Sequence, residues 1–447
     1  MITDKNKLNN SEINSDKKTK TKGIGVLGAT TIGIGGMVGG GIFAVLGTAV
    51  GLARGGTPVA FIFAGIIALL TAYSYAKLSA RYPSAGGTVV FIDRAFGIDL
   101  WTGSLNLILW LSYIVTIALY AAAFGAYGCT FFTAESSLWL KHVVISVGII
   151  LPAVINLLNA DLVSKTETYV VLTKLVLLVI VIVAGAPHVD LSKFKFSEWP
   201  DPLTLIAGGM VIFVAYEGFE LIANAGEDVK NPAKTLPRAY YLSVGFVIIL
   251  YILVAIVTVG SLQPEMISQV KDYALAEAAR PALGHIGFVI VAIAALMATF
   301  SAINATIYGN ARLGYHLAKD GELPDILERK TWNRPVSGVL ITSILALLLS
   351  NLVSLTAIAI MGSAGFLIIF ATVNAACIKL AKPVKAKRLI CILGFTACIA
   401  AIITLFIHTY EDNPHALWVV VFMILFSFIF EILYPKLTGR KIKLGFH

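Results

Sequence analysis

Twelve apolar runs, each about as long as a bilayer is thick, follow one another along the 447-residue chain. Some 20 consecutive apolar residues suffice for a helix to cross a membrane, so such runs leave little choice of architecture. Breaks at proline, glycine and clustered charge place helices near 24–53, 57–80, 101–130, 139–158, 166–186, 202–227, 237–261, 285–318, 335–354, 356–381, 388–408 and 415–435. With 58% hydrophobic and only 13% charged residues, the chain is expected to be an all-α integral membrane protein. Residues 1–22 are polar and basic, and the apolar run after them is too long and glycine-rich for a cleaved signal peptide, so it is expected to stay as a span.

The net charge of +9 does not point to nucleic acid, because its distribution follows topology. Lys17 to Lys22, Lys230 to Arg238, Arg312 to Arg334, Lys379 to Arg388 and Lys436 to Lys443 all fall on one side of the twelve-span map. The opposite loops hold only Arg54, Lys141, Lys193, Lys195, Lys271 and Arg280. Cytoplasmic loops carry the excess of Lys and Arg, so both termini are expected in the cytoplasm. Cys129, Cys377, Cys391 and Cys398 lack metal-knuckle or redox spacing and are expected to be packing residues. The seven histidines form no metal-ligand pattern, no phosphate-binding glycine loop is present, and no nucleophile–base arrangement is legible. An enzyme and a bound cofactor are therefore not expected.

Two apolar runs look unable to remain continuous helices. The first contains Gly33-Ile-Gly35-Gly36-Met37-Val38-Gly39-Gly40-Gly41-Ile42-Phe43, where each glycine weakens a helix by about 1 kcal/mol; a break near Val38 to Ile42 follows. The second contains Phe213-Val-Ala215-Tyr216-Glu217-Gly218-Phe219-Glu220, with two carboxylates and a glycine at membrane depth. Unpaired backbone is tolerated there only where it lines a cavity or meets a ligand. A half-helix N-terminus with bare N–H groups suits a carboxylate, and freed carbonyls suit an ammonium group. Together they suit the head of an α-amino acid, and breaks in corresponding positions of two halves mark an inverted-repeat transporter. Close helix packing through small residues is the alternative.

Lys174 lies inside the apolar run Tyr169 to Ala184. In a helix from Thr166 to Ala186 it stands about 12 Å from the nearer end, beyond the reach of a snorkelling side chain. A lysine so placed is expected to face the protein interior and to be functional. Burial penalises the ammonium relative to the neutral amine, which opens a route to reversible proton release; a permanent structural cation is the alternative.

These residues, with Tyr82-Pro83-Ser84-Ala85-Gly86-Gly87, Glu227-Asp228-Val229-Lys230-Asn231-Pro232 and Leu236-Pro237-Arg238-Ala239, resemble the amino acid–polyamine–organocation transporters over about 24 to 435. Asn304 to Gly309 and Leu317 to Pro324 look closest to the prokaryotic proton-coupled branch. The resemblance implies a five-plus-five inverted repeat: a basic tail over 1–22, repeats over 23–186 and 187–387, two extra helices over 388–435 and a tail over 436–447. It implies that Lys174 replaces a bound cation near carbonyls of Gly35 and Val38 and hydroxyls of Thr299 and Ser301. It also implies a substrate carboxylate on the N–H groups of Gly40, Gly41 and Ile42, and an amino group on carbonyls around Val38, Val214, Ala215 and Glu217. Phe219 resembles the family's aromatic lid, with core packing as its alternative.

Glu217 departs from the family pattern, since many relatives carry an apolar residue there. Its side chain either faces the ligand and favours cationic substrates, or turns to water or a neighbouring helix. Glu220 resembles a pH-sensing carboxylate or else serves a polar group on another helix. Tyr82 to Gly87 is expected to form a tight turn or re-entrant loop. The function implied is secondary active transport of neutral or varied L-amino acids, sodium-independent and proton-coupled, by alternating access in a prokaryotic cytoplasmic membrane. Its partners are the amino acid, protons and the lipid bilayer. An exchanger, including one for cationic amino acids, is the alternative within the fold, and an amino acid sensor without flux is the alternative of another class.

Overall fold

The computed structural model describes residues 23–132, 138–158, 160–262, 266, 269–328, 335–412 and 414–439; the basic tail over 1–22 and most of the tail over 436–447 lie outside them. The first expected span is two helices, α1 (Val26–Met37) and α2 (Gly41–Ala53), parted by the residues where the glycines cluster. There follow α3 (Thr57–Arg81), α4 (Gly87–Phe96), α5 (Leu100–Cys129), α6 (Leu138–Leu158) and α7 (Ala160–Gly185). The sixth expected span is likewise divided: α8 (Pro202–Val211) gives way to a 3-10 stretch over Ile212–Tyr216 and then to the single turn α9 (Leu221–Asn224). The chain continues through α10 (Pro232–Ser261), α11 (Ala274–Ala278), α12 (Arg280–Asp320), α13 (Val336–Leu352), α14 (Leu355–Lys379), α15 (Arg388–Asp412) and α16 (Pro414–Thr438).

Among the described residues, 10 helical segments are long and apolar enough to cross a membrane, and α1 and α13 are shorter apolar helices. Every one of the twelve expected spans thus has a helical counterpart. The reduced number has a physical cause: the second half of the first span and the whole second span run on as one segment, Gly41–Arg81, and α13 has 17 residues. Two boundaries differ from expectation. Helix α7 starts at Ala160 rather than Thr166, so Lys174 lies about 16 Å from its nearer end. Helix α4 follows the Tyr82–Gly87 turn as an element that the sequence did not announce, because at 10 residues it is too short to register as a span.

Burial separates the centre of the bundle from its rim. The most apolar windows of Leu100–Cys129 and Pro202–Asn224 are each 89% buried, against 28% for Arg388–Glu411 and Pro414–Thr438. Helices α5 and α8 therefore form the centre, and α15 and α16 lie outside. Exposed apolar side chains such as Leu172, Ile249, Leu348 and Phe422 make up the rim that lipid would cover. No strand occurs among the described residues, but one parallel bridge pairs Ile24 with Val229. Ile24 N–H donates to Asp228 O at 2.8 Å and Lys230 N–H to Ile24 O at 2.9 Å, so the start of α1 is tied to the segment that follows the second break. The turn motif joins the same region. Ala85 N–H donates to Glu227 Oε1 at 3.2 Å, and a Cβ at Gly87, whose φ is +49°, would strike Asn224 Oδ1. The cysteines are buried or half-buried and free, but Cys391 Sγ approaches Cys377 Sγ to 3.0 Å across the α14–α15 hairpin, a neighbourhood their spacing had not suggested.

Candidate functional site

The two interruptions face each other. Gly36 and Gly218 meet backbone to backbone: a Cβ at Gly36 would lie 2.6 Å from Gly218 O, and one at Gly218 would collide with Gly36 C. Gly218 also holds φ at +115°, a conformation that favours glycine. Both positions are closed to a side chain, and the pairing fixes where helix α1 ends relative to the second break.

At the first break, Val38 leaves helical geometry at φ −80°, ψ 44° and donates its N–H to Ile34 O at 2.8 Å. A helix end leaves its last carbonyls unpaired, and side chains from other helices supply donors here. Lys174, only 2% exposed, donates from Nζ to Gly35 O at 3.0 Å. Tyr251 of α10 directs its hydroxyl to Met37 O at 2.7 Å and to Ala215 O at 3.0 Å, reaching both breaks at once. An ammonium at the negative end of a helix is favourably placed. On the other side of the gap, α2 begins at Gly41 with Gly40 as its cap residue and no side-chain cap. The first N–H groups, those of Gly41 and Ile42 among them, therefore open toward the interruption, and an anion fits them. A Cβ at Gly40 would overlap the Tyr120 ring, so that ring lies directly on the glycine backbone.

The second break brings its own polar groups. Ser363 of α14 donates to Val211 O at 2.8 Å and accepts from Val214 N–H at 3.0 Å, repairing the ladder where α8 ends. Glu217 is extended at φ −61°, ψ 148°, 3% exposed, and accepts from the Tyr120 hydroxyl at 3.1 Å. Of the two expectations for its side chain, the contact with a neighbouring helix is the one observed. Glu220, 1% exposed, accepts from Gly218 N–H at 2.8 Å and from the Tyr113 hydroxyl at 3.2 Å. Phe219 is fully buried among Tyr75, Tyr240 and Phe370, with ring centroids 5.5, 6.4 and 5.0 Å away.

Lys174, Gly35, Val38, Gly40, Gly41, Ile42, Val214, Ala215, Glu217 and Glu220 thus lie on or beside the paired breaks. Thr299 is buried on α12, but its hydroxyl bonds to its own helix at Ala295 O (2.7 Å) and Leu296 O (3.1 Å); Ser301 is half-buried two residues on. Sequence reasoning missed Tyr113, Tyr120, Tyr251 and Ser363. Hydroxyls inside apolar spans were the signal available, since each needs a partner in hydrocarbon.

A second polar cluster sits where α4, α5, α12 and α16 converge. Asn106 of α5 donates from Nδ2 to Glu322 Oε1 and Oε2 at 3.2 and 3.0 Å and lies 3.5 Å from Asp93 Oδ1. The Glu431 carboxylate lies against Gly103, one turn from Asn106. Burial first, with the charges of Asp93, Glu431 and Asp320 adding to it, pushes the Glu322 carboxyl up to about 8. Burial, opposed by the Asn106 hydrogen bond, pushes Asp93 up to about 7.

A bundle of apolar helices, with two facing interruptions and a lysine held at one of them, defines a multi-pass membrane transporter rather than an enzyme. The amino acid permease family model matches residues 24–429, and the chain belongs to that family. It is 34% identical over 423 residues to an uncharacterized protein of Methanocaldococcus jannaschii, covering 94% of this chain and 97% of that one. It is 33% identical over 412 residues to the inner membrane transport protein YbaT of Escherichia coli, covering 91% and 95%. Cationic amino acid transporter 9 of Arabidopsis thaliana is 28% identical over 325 residues, covering 68% of this chain and 57% of the plant protein.

Proposed function

We propose that the chain moves L-amino acids of neutral or varied side chain across a prokaryotic cytoplasmic membrane, without sodium and together with protons. Both termini lie in the cytoplasm, and the spans form two inverted repeats, 23–186 and 187–387, followed by two further helices over 388–435. The observation that carries the proton reading is the Lys174 ammonium on Gly35 O at 3.0 Å, at the point where α1 gives way. The names of YbaT and of the plant transporter support transport and an amino acid cargo.

In this reading the substrate carboxylate rests on the uncapped N–H groups of Gly40, Gly41 and Ile42. The amino group rests on carbonyls of Val38, Val214, Ala215 and Glu217. The charged Lys174 holds α7 to the end of α1, with the hydroxyls of Thr299 and Ser301 on α12 as further acceptors near the cation position when the carrier changes its facing. Loss of the proton removes the charge that makes that tie strong, so the two facings differ in proton affinity, and that difference sets the limit on coupling. Glu220 modulates the coupling through its contact with Tyr113, and Phe219 closes over the substrate when its aromatic cluster rearranges.

Uptake of labelled alanine into sodium-free proteoliposomes, with and without an inward proton gradient, tests this reading. Gradient-driven accumulation is expected in the wild type and not in Lys174→Ala. Accumulation that survives in Lys174→Ala overturns the role of the lysine, and uptake that ignores the gradient but requires internal amino acid makes the protein an exchanger.

A further inference from the structure

The second break holds two carboxylic side chains that the head-group contacts do not use. Glu217 and Glu220 are 3% and 1% exposed, belong to the same short interruption, and are each bonded to a tyrosine hydroxyl of α5. Two like charges side by side in a protein interior repel strongly enough to exclude double ionisation. Neither residue forms an ion pair with a described residue. The titratable side chains facing the pair are tyrosines: Tyr113 and Tyr120 on α5, Tyr75 on α3, and Tyr240 and Tyr251 on α10. Tyr113 and Tyr120 each donate one hydroxyl to one carboxyl, and Gly218 N–H donates to Glu220. These donors stabilise one negative charge and leave a second without a counter-ion.

The placement of the pair matters as much as its composition. Glu217 supplies a backbone carbonyl to the expected amino-group site, while its side chain runs to Tyr120, whose ring lies on Gly40 of the first break. Tyr120 therefore links the pair to the first break from the side of α5.

We propose that Glu217 and Glu220 share a single proton and match the charge of the substrate side chain, so that a cationic amino acid is accepted in exchange for that proton and a neutral one leaves it in place. The proposal rests on the transport reading above. The step balances simply: the carboxyl O–H bond breaks, the proton leaves to water, and the ammonium or guanidinium group of the substrate takes its place between two carboxylates. No electron moves, and total charge within the site is unchanged. The pair is thus a specificity determinant that lets one pocket take two charge classes of substrate, at different proton stoichiometry.

Calorimetry on the purified full-length chain, titrated with L-lysine and with L-alanine in buffers of different ionisation enthalpy, tests this directly. Lysine is expected to release about one more proton than alanine, and its affinity relative to alanine to rise with pH by up to about tenfold per pH unit. In Glu220→Gln one carboxylate remains without a proton to share, so the extra proton release and the relative pH dependence are both expected to vanish. Equal proton release for the two ligands in the wild type overturns the proposal, as does alanine binding without lysine binding. If no L-amino acid binds at all, the transport reading itself falls, and this proposal with it. The wild-type measurement decides the matter even if the variant does not fold.

Discussion

The two interruptions solve one problem in opposite ways. At the first, the chain is almost bare: glycine and valine from 38 to 40, with partners brought in by Lys174 from α7 and Tyr251 from α10. At the second, the interrupted segment carries Glu217 and Glu220 itself and receives hydroxyls from α5 and α14. The first break therefore leaves N–H groups open to a ligand, whereas the second is internally bonded. In the proposed reading, the first would recognise what every amino acid shares and the second would respond to what differs between them.

The largest expected effect tests whether the breaks depend on each other. Gly218→Ala forces a side chain into Gly36 and into a left-handed backbone, strain worth about 1–3 kcal/mol before the collision is counted. Loss of monodisperse protein in fluorescence size-exclusion chromatography is expected. Gly51→Ala, in α2 with nothing within 4 Å of its Cβ, serves as the contrast and is expected to be neutral or slightly stabilising. If Gly218→Ala behaves like Gly51→Ala, the close approach is not what holds the breaks together.

Of intermediate size is the loss of a shared donor. Tyr251→Phe leaves buried carbonyls at Met37 and Ala215 without their hydroxyl, and Ser363→Ala removes a donor and an acceptor at the second break alone. Each is expected to destabilise the protein by about 1–3 kcal/mol, read as a lower melting temperature. Only Tyr251→Phe touches both breaks, so it is expected to weaken alanine binding more; the reverse order of affinities would remove Tyr251 from the link.

The smallest effect lies away from the breaks and delimits them. Glu322 and Asp93 bind protons more tightly folded, at about 8 and about 7, than an unfolded carboxyl does near 4. The folded state thus holds more protons over that window, and the stability they contribute is complete below about pH 4 and declines as pH rises through about 7 to 8. A melting temperature that falls between about pH 4 and about pH 8 is expected, with the slope reduced in Glu322→Gln. An unchanged slope would place the sensitivity elsewhere, the Glu217–Glu220 pair included.

What the sequence made legible follows from how each feature is encoded. Spans are written as long uniform stretches, and the break at Val38 as a density of glycine, so both could be read without partners. Lys174 stood out because hydrocarbon makes a lone charge conspicuous. The donors did not stand out. Tyr120 and Tyr251 are ordinary residues for a membrane helix, and only the crossing of α5 and α10 over the breaks gives their hydroxyls a task. Helix α4 escaped for a related reason, since ten residues without a long apolar run resemble any loop. The Asn106–Glu322 contact spans 216 positions of sequence and has no local signature.

The short bridge between Ile24 and Val229 has a mechanical side. A load applied where α1 begins is delivered within two hydrogen bonds to the strand of chain leaving the second break, before any helix has moved. A force that draws Ile24 away from Val229 would act first on those two hydrogen bonds.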